Sequence, residues 1–283
     1  MLAGSVARCH LTALAAWPQA LAVTGQAVVL RLPADERTAF LALVNRQLQA
    51  AGLLPAWRDE TYPLLALQEA TMDRAAGAAT GAGTASPPGP PLLLASLERA
   101  ASRFWGTLTF GAHCNGYVTG PDGRPSHLWI ARRARDKAVD PGRLDNLIGG
   151  GVPLGQTPAM TLVREGWEEA GLLPAQMAGI QPGRRFAVLR DVAEGLQREQ
   201  VSVYDLALPA GLTPRNQDGE VDSFMLMPLD RALAHAAAGD MTVDASLATL
   251  DFALRHRLLG ANLHQHLRAL SEGLWCGPAL LDR

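Results

Sequence analysis

Apolar positions along this chain change period several times, and each change marks an element. Residues 26–32, QAVVLRL, predict a strand. ADERTAFLALVNRQLQAAGLL follows with Phe40, Leu43, Val44 and Leu48 at helical spacing and a stop near Gly52. With WRDETYPLLAL behind it, this predicts a small α/β module. Between Ala75 and Pro91 the sequence AAGAATGAGTASPPGPP has little large apolar side chain and several helix breakers, which predicts a mobile loop. LLLASLERAASRFWG resumes a helical period. TLTFGAHCNGYVTG, the turn PDGRP and SHLWIARRA predict a hairpin. RRFAVLRDV, QVSVYDLAL and EVDSFMLMPL are further strands, and PLDRALAHAAAG and LATLDFALRHRLLG further helices. The second half therefore mixes α and β, without a repeat of fixed period.

One helix in that half carries unusual chemistry. In LDNLIGGGVPLGQTPAMTLVREGWEEAGL, residues 144–172, Thr157 suits an N-cap, Pro158 the first helical position and Gly171 the stop. At roughly 100° per residue, Ala159, Leu162, Val163, Gly166, Trp167 and Ala170 share an apolar stripe, while Glu165, Glu168 and Glu169 share a separate acidic arc. Glu165 and Glu169 are a like-charge i, i+4 pair that destabilises an isolated helix by about a few tenths of a kcal/mol. Arg164 offsets the repulsion only at Glu168. A hard divalent cation would neutralise the cluster, because Mg²⁺ prefers carboxylate and carbonyl oxygens together with substrate phosphate. The Gly149–Gly151 run just before the helix lets backbone approach a ligand closely. The plainer alternative is a solvated acidic face beside a glycine turn.

The spacing decides between them. The 23 positions from Gly150 to Leu172 resemble the Nudix box: a glycine, five residues, a glutamate, seven residues, Arg-Glu, an aliphatic residue, any residue, Glu-Glu, any residue, glycine and an aliphatic residue. Gly150, Arg164, Glu165, Glu168, Glu169, Gly171 and Leu172 match. Gln156 stands where the first glutamate belongs, and Gly166 replaces the aliphatic residue. The resemblance implies an enzyme that hydrolyses a diphosphate attached to another moiety, using Mg²⁺ or Mn²⁺. It implies Glu168 and Glu169 as metal ligands, Glu165 as ligand or general base, Arg164 as the residue orienting Glu165, and the Gly149 carbonyl as a further ligand. Gln156 cannot supply a carboxylate's charge and can act only through hydrogen bonds. Glu220, in RNQDGEVDSF, is the candidate for an additional carboxylate from outside the box; a surface glutamate beside a turn is the alternative.

WRDETY, LERAASRFWG, FGAHCNGYV, LWIARRARDKAVDPGRLDN, GLQREQVSVYDLALP and DGEVDSFMLMPLD resemble the Nudix hydrolases related to thiamine pyrophosphokinase. That resemblance implies an α+β chain: a Nudix α/β/α sandwich with a mixed sheet over residues 107–260, preceded by a smaller N-terminal α/β domain over 1–106 and followed by a tail over 261–283. It also implies removal of phosphate from thiamine diphosphate or its oxo and oxy analogues, and is compatible with a homodimer. A nucleoside-diphosphate-linked substrate and a non-catalytic ligand-binding protein are the competing readings, the latter motivated by Gln156. For the substrate, Arg132, Arg133 and Lys137 follow a strand and precede the glycines, where one or two could reach a diphosphate. Trp105, His113, Asn115, Tyr117 and Trp129 offer ring faces and polar tips suited to a heteroaromatic ligand.

Composition excludes more than it selects. With 25 basic and 27 acidic residues the formal net charge is −2, so no global field points to nucleic acid or an acidic membrane. Cys9, Cys114 and Cys276 lie far apart and form no CxxC pair, which points to a reducing compartment, the cytoplasm being the simplest. The apolar opening is short and interrupted by Trp17 and Pro18, unlike a secretory leader. No window approaches the ~20 apolar residues of a membrane helix.

Overall fold

The computed structural model describes residues 1–67 and 91–276; the loop expected over 75–91 lies, except for Pro91, outside the described residues. A short helix α1 (Leu11–Leu14) leads into the antiparallel strands β1 (Leu21–Val23) and β2 (Val28–Leu30). Thr24 Oγ1 accepts from the Ala27 amide at 2.9 Å and closes their turn. Helix α2 (Ala34–Ala50) starts with Asp35 and Glu36 in its first turn, where they complement the helix dipole, and buries Leu41, Val44 and Leu48.

Strand β3 (Thr61–Leu65) pairs antiparallel with β4 (Leu93–Glu98). The helix expected over LLLASLERAASRFWG is thereby corrected. Its first half is β4, in which Ala95 and Leu97 are buried and alternate with more exposed neighbours. Glu98 Oε1 accepts from the Ala100 amide at 3.3 Å and turns the chain into a 3-10 turn and the single-turn helix α3 (Ser102–Trp105). Period-two burial against β3 outweighs the helical spacing. Leu14, Val44, Leu48, Leu97 and Phe104 gather in one amino-terminal core.

The larger sheet begins at β5 (Leu108–Thr119) and β6 (Pro125–Arg133), the expected hairpin. It adds β7 (Leu144–Asp145), β8 (Ile148–Gly151), β9 (Gln181–Val192), β10 (Gly195–Ala207) and β11 (Val221–Pro228). Its order is β11-β6-β5-β10-β9, with β7 on β6 and β8 on β5. The β5–β10 pair is parallel and the others antiparallel, so the sheet is mixed. Among the described residues the remaining α-helices are α4 (Pro158–Ala170), α5 (Pro174–Met177), α6 (Leu229–Ala238), α7 (Val243–Arg255) and α8 (Ala261–Ser271).

Alternation along the strands builds the two faces. Leu108, Phe110, Ala112 and Cys114 pack with Leu162 and Ala170 of α4 on one side. On the other, Phe186, Val201 and Val203 meet Ala248 of α7, while Leu128 and Ile130 meet Ala232 of α6. The architecture is the expected α/β/α sandwich on a mixed sheet, with an additional amino-terminal α/β region. Two details differ. The glycine run is a strand, β8, because residues without a Cβ can lie flat against both β5 and the helix above it. The stretch expected as a tail contains α8, and Trp275 beyond it bridges to Phe186. Among the described residues no helix is long and apolar enough to cross a membrane.

Candidate active site

Local sequence sets α4 as expected. Thr157 Oγ1 accepts from the Met160 amide at 3.2 Å, and Pro158 needs no donor at the first position. Gly171, at φ +65°, ends the helix, and the Leu172 amide returns to the Gly166 carbonyl at 2.8 Å. Gln156 Oε1 accepts from Thr161 Oγ1 at 3.0 Å. Its side chain thus supports the start of the helix by hydrogen bonding and does not line the cavity described below.

The burial of α4 is rotated from the expected stripe. Trp167 is 48% exposed, whereas Glu165 and Glu169 are only 8% and 6% exposed. The physical reason is β8. A Cβ on Gly150 would lie 2.5 Å from Glu165 Oε1, so the bare strand leaves room for a carboxylate to sink against the sheet. Gly166 accommodates Met177 and Ile148: a Cβ there would meet Met177 Sδ at 3.0 Å and Ile148 Cδ1 at 3.3 Å. Restoring an aliphatic residue with Gly166→Val is therefore expected to cost about 1–3 kcal/mol through overpacking, read by urea denaturation, and Met177→Ala in the same chain should recover part of it. A Gly166→Val protein as stable as the parent would show that Met177 yields without strain.

Three contacts hold the acids. Arg164 Nη2 donates to Glu165 Oε1 and its Nη1 to Glu168 Oε2, each at 2.7 Å. The Gly149 amide donates to Glu169 Oε2 at 2.9 Å. Burial pushes the Glu169 carboxyl up to about 8, with Glu165 adding to the effect and the Gly149 amide opposing it. Burial also raises the Glu165 carboxyl, against the pull of Arg164. These are acids awaiting positive charge. Their donor atoms are hard oxygens, which suits Mg²⁺ or Mn²⁺. Among the described residues, however, no three acid, histidine or cysteine side chains converge as a finished metal cage. Arg164 holds Glu165 and Glu168 on separate nitrogens and Glu169 faces β8. Glu168, with its side chain 38% exposed, has the freedom to leave Arg164 and reorient.

Above the acids lies a cavity of about 280 Å³ bounded by Gly149–Gly151, Arg164, Glu165 and Glu168 on one side. The rest is lined by the cations Arg58, Arg99, Arg103, Arg133 and Lys137 and by further carboxylates, among them Glu60, Asp145, Glu199, Asp218 and Glu220. Glu220 pairs with the Lys137 ammonium and, at 3.4 Å, with Arg58 Nη1. Burial pushes Lys137 down to about 8, against the attraction of Glu169. Arg133 donates to Asp145 Oδ2 at 2.9 Å. Of the expected residues, Glu165, Glu168, Gly149, Glu220, Arg133 and Lys137 thus meet at one cavity, with Glu169 buried behind Gly149.

Others do not meet there. Arg132 projects from the opposite face of β6 to Arg133 and donates to the Gly142 carbonyl at 2.9 Å. Trp129 is 7% exposed within the core under α4. Asn115 is 1% exposed; it donates to Asp205 Oδ1 and the Ala248 carbonyl, both at 3.2 Å, and accepts from Asn146 at 2.9 Å. Trp105 donates to Asn45 at 2.9 Å in the amino-terminal core. Of the five ring and amide candidates, only His113 reaches the cavity. Arg58, Glu60 and Arg99, which come from before β5, also line the cavity and were not expected there. As isolated charges beside turns, they carry no periodic signal.

This chain is similar to several known proteins. Residues 111–245 match the model of the NUDIX domain. Nudix hydrolase 24, chloroplastic, of Arabidopsis thaliana is 33% identical over 234 residues, covering 80% of this chain and 56% of that protein. Nudix hydrolase 20, chloroplastic, of the same plant is 33% identical over 248 residues, covering 85% and 60%. The chain therefore spans less than two thirds of the length of these relatives. Among solved structures, DR0079 from Deinococcus radiodurans aligns over 51% of this chain and 83% of its own at 22% identity, with a TM-score of 0.39. The NUDIX match runs from within β5 to the start of α7 and contains the whole acid helix.

Proposed function

We propose that the protein hydrolyses a diphosphate linkage in a small molecule, with a divalent cation, Mg²⁺ or Mn²⁺, as cofactor. The observation that carries this reading is the cavity itself, which brings Glu165 and Glu168 of the acid helix within one space with the cations Arg58, Arg99, Arg133 and Lys137. A diphosphate needs both, because its oxygens repel an incoming hydroxide until cations neutralise them. Glu165, Glu168, Glu169 and the Gly149 carbonyl are the groups that would hold the cation. When bound, it supplies charge neutralisation and lowers the pKa of water. Glu165 accepts the proton of the attacking water, and Arg164 fixes the direction in which that carboxylate points. Arg133 and Lys137 contact the diphosphate, and Glu220, once Lys137 turns to substrate, adds a carboxylate to the site.

The substrate we propose is thiamine diphosphate or its oxo and oxy analogues, converted to the monophosphate and phosphate. Support comes from the segments resembling the thiamine pyrophosphokinase-related group. WRDETY supplies Arg58 and Glu60, LERAASRFWG supplies Arg99 and Arg103, and DGEVDSF supplies Glu220 to the same cavity. The test is phosphate release from thiamine diphosphate, its oxo and oxy analogues, ADP-ribose and a nucleoside triphosphate, with Mg²⁺ or Mn²⁺, for wild type and Glu168→Gln. Metal-dependent release from the thiamine compounds, lost in the variant, is the expected result. Preference for ADP-ribose or a nucleotide would discard the thiamine assignment, and binding without turnover of any compound would discard hydrolysis.

A further inference from the structure

The amino-terminal region reaches the site at one place that the acid helix does not explain. Tyr62 of β3 is 2% exposed, and its phenolic Oη is buried without a hydrogen-bond partner. Ser102, the first residue of α3, is 3% exposed, and its Oγ is likewise unpartnered. Both residues line a second cavity, of about 70 Å³. Arg99, Arg103, Gln197 and Glu199 line this cavity and the larger one, so the two adjoin along those side chains.

Gly151 of β8 sets the junction. A Cβ at that position would strike Tyr62 Oη and lie 3.0 Å from Arg99 Cζ, so phenol and guanidinium together fill the space a side chain would take. Arg99 Nη1 donates to Glu60 Oε2 at 2.9 Å, and Cζ stands 5.6 Å from the Tyr62 ring centroid. One residue earlier, Gly150 makes the same kind of room for Glu165. Tyr62 and Arg99 are therefore next to the reacting carboxylate along β8. Glu199 lies in reach of both by its charge, with its Oε2 accepting from Gln197 Nε2 at 2.8 Å and its Oε1 in the space over Gly111.

A buried hydroxyl left without a partner is destabilising, so two of them lining one cavity with a guanidinium weaken the fold unless a ligand takes their hydrogen bonds. Burial holds the Tyr62 phenol well above its ordinary pKa, which keeps it a neutral donor. Neutral hydroxyl donors around a fixed guanidinium match the oxygens of a phosphoryl group. We infer that Tyr62, Arg99 and Ser102 form the subsite for a phosphoryl group of the substrate, so that residues before the NUDIX match complete the active site. This assignment rests on the diphosphate reading above and names its second anchor.

Tyr62→Phe tests it, because the change deletes one oxygen and keeps the ring. Thermal denaturation is followed with and without inorganic pyrophosphate, in the absence and presence of Mg²⁺. Without pyrophosphate the variant should melt at or above the wild-type temperature, since an orphan hydroxyl has been removed. Its pyrophosphate dissociation constant should rise roughly tenfold, and Ser102→Ala should shift both readings in the same directions by less. Pyrophosphate affinity equal to wild type in Tyr62→Phe would overturn the subsite, as would a variant that melts well below wild type, which would mark the hydroxyl as a structural partner. The two readings fail separately. Tyr62-dependent binding without turnover of any diphosphate would retain the subsite and refute hydrolysis, whereas full turnover with Tyr62-independent binding would do the reverse.

Discussion

Glu165→Gln is expected to lower the rate of phosphate release by about 10²–10⁴-fold while leaving the fold intact. Glutamine has the shape of glutamate, so it occupies the space above Gly150 and can still meet Arg164. It has no basic oxygen to accept a proton from water and no charge to offer a cation. Because burial raises the Glu165 carboxyl in the folded protein, removing its charge should leave stability unchanged or improved. Loss of turnover with retained or increased melting temperature separates a catalytic role from a structural one. Initial rates under saturating Mg²⁺, with near-ultraviolet circular dichroism as the check on packing, are the measurement. Turnover within about threefold of wild type would remove Glu165 from the role of general base.

The largest effect on stability is expected far from the acid helix, at Arg255 of α7. Its Nη1 and Nη2 donate to Asp205 at 2.6 and 2.9 Å, and its Nε to Asp251 at 2.6 Å. Both carboxylates are buried, Asp251 fully. Arg184 on β9 adds a contact of 2.6 Å to Asp251, and His256 one of 2.9 Å to Asp205. Arg255→Ala would leave two buried carboxylates short of their shared cation, a loss of about 3–5 kcal/mol. Urea denaturation would show it as a lower midpoint, and a loss below about 1 kcal/mol would mean that Arg184, His256 and entering water suffice. The same network continues toward the site. Asp205 accepts from Asn115, Asn115 from Asn146, and Asn146 is 2.9 Å from His113, whose ring packs under Gly149. Slackening at Arg255 should therefore also reduce turnover in whatever fraction stays folded.

Asn115 shows why the second wall of the cavity was harder to read than the first. Amides, rings and cations in a strand look alike whether they face substrate, core or another polar group; only the partner across the sheet decides. Asn115 has Asp205 across from it and Trp129 the core under α4, so neither reaches the cavity. Arg132 and Arg133 are adjacent in sequence and indistinguishable in charge, yet alternation sends only Arg133 to the cavity. The mistaken helix at Leu93–Glu98 has the same origin, since the strand exists because β3 is there to pair with it.

The local part was legible in the sequence: the span, caps and acid spacing of α4, the hairpin of β5 and β6, and the Nudix resemblance. Those features depend on residues within one or two turns of each other, and N-capping, glycine termination and i, i+4 geometry are local physics. Tertiary structure alone decided which acids are buried, because β8 and its missing Cβ atoms lie underneath them. It alone decided that Gly166 makes room for Met177 and that Arg58 and Arg99, from the amino-terminal region, line the cavity. Those placements follow from tertiary pairing and packing, in which a side chain's role is set by neighbours outside its own element.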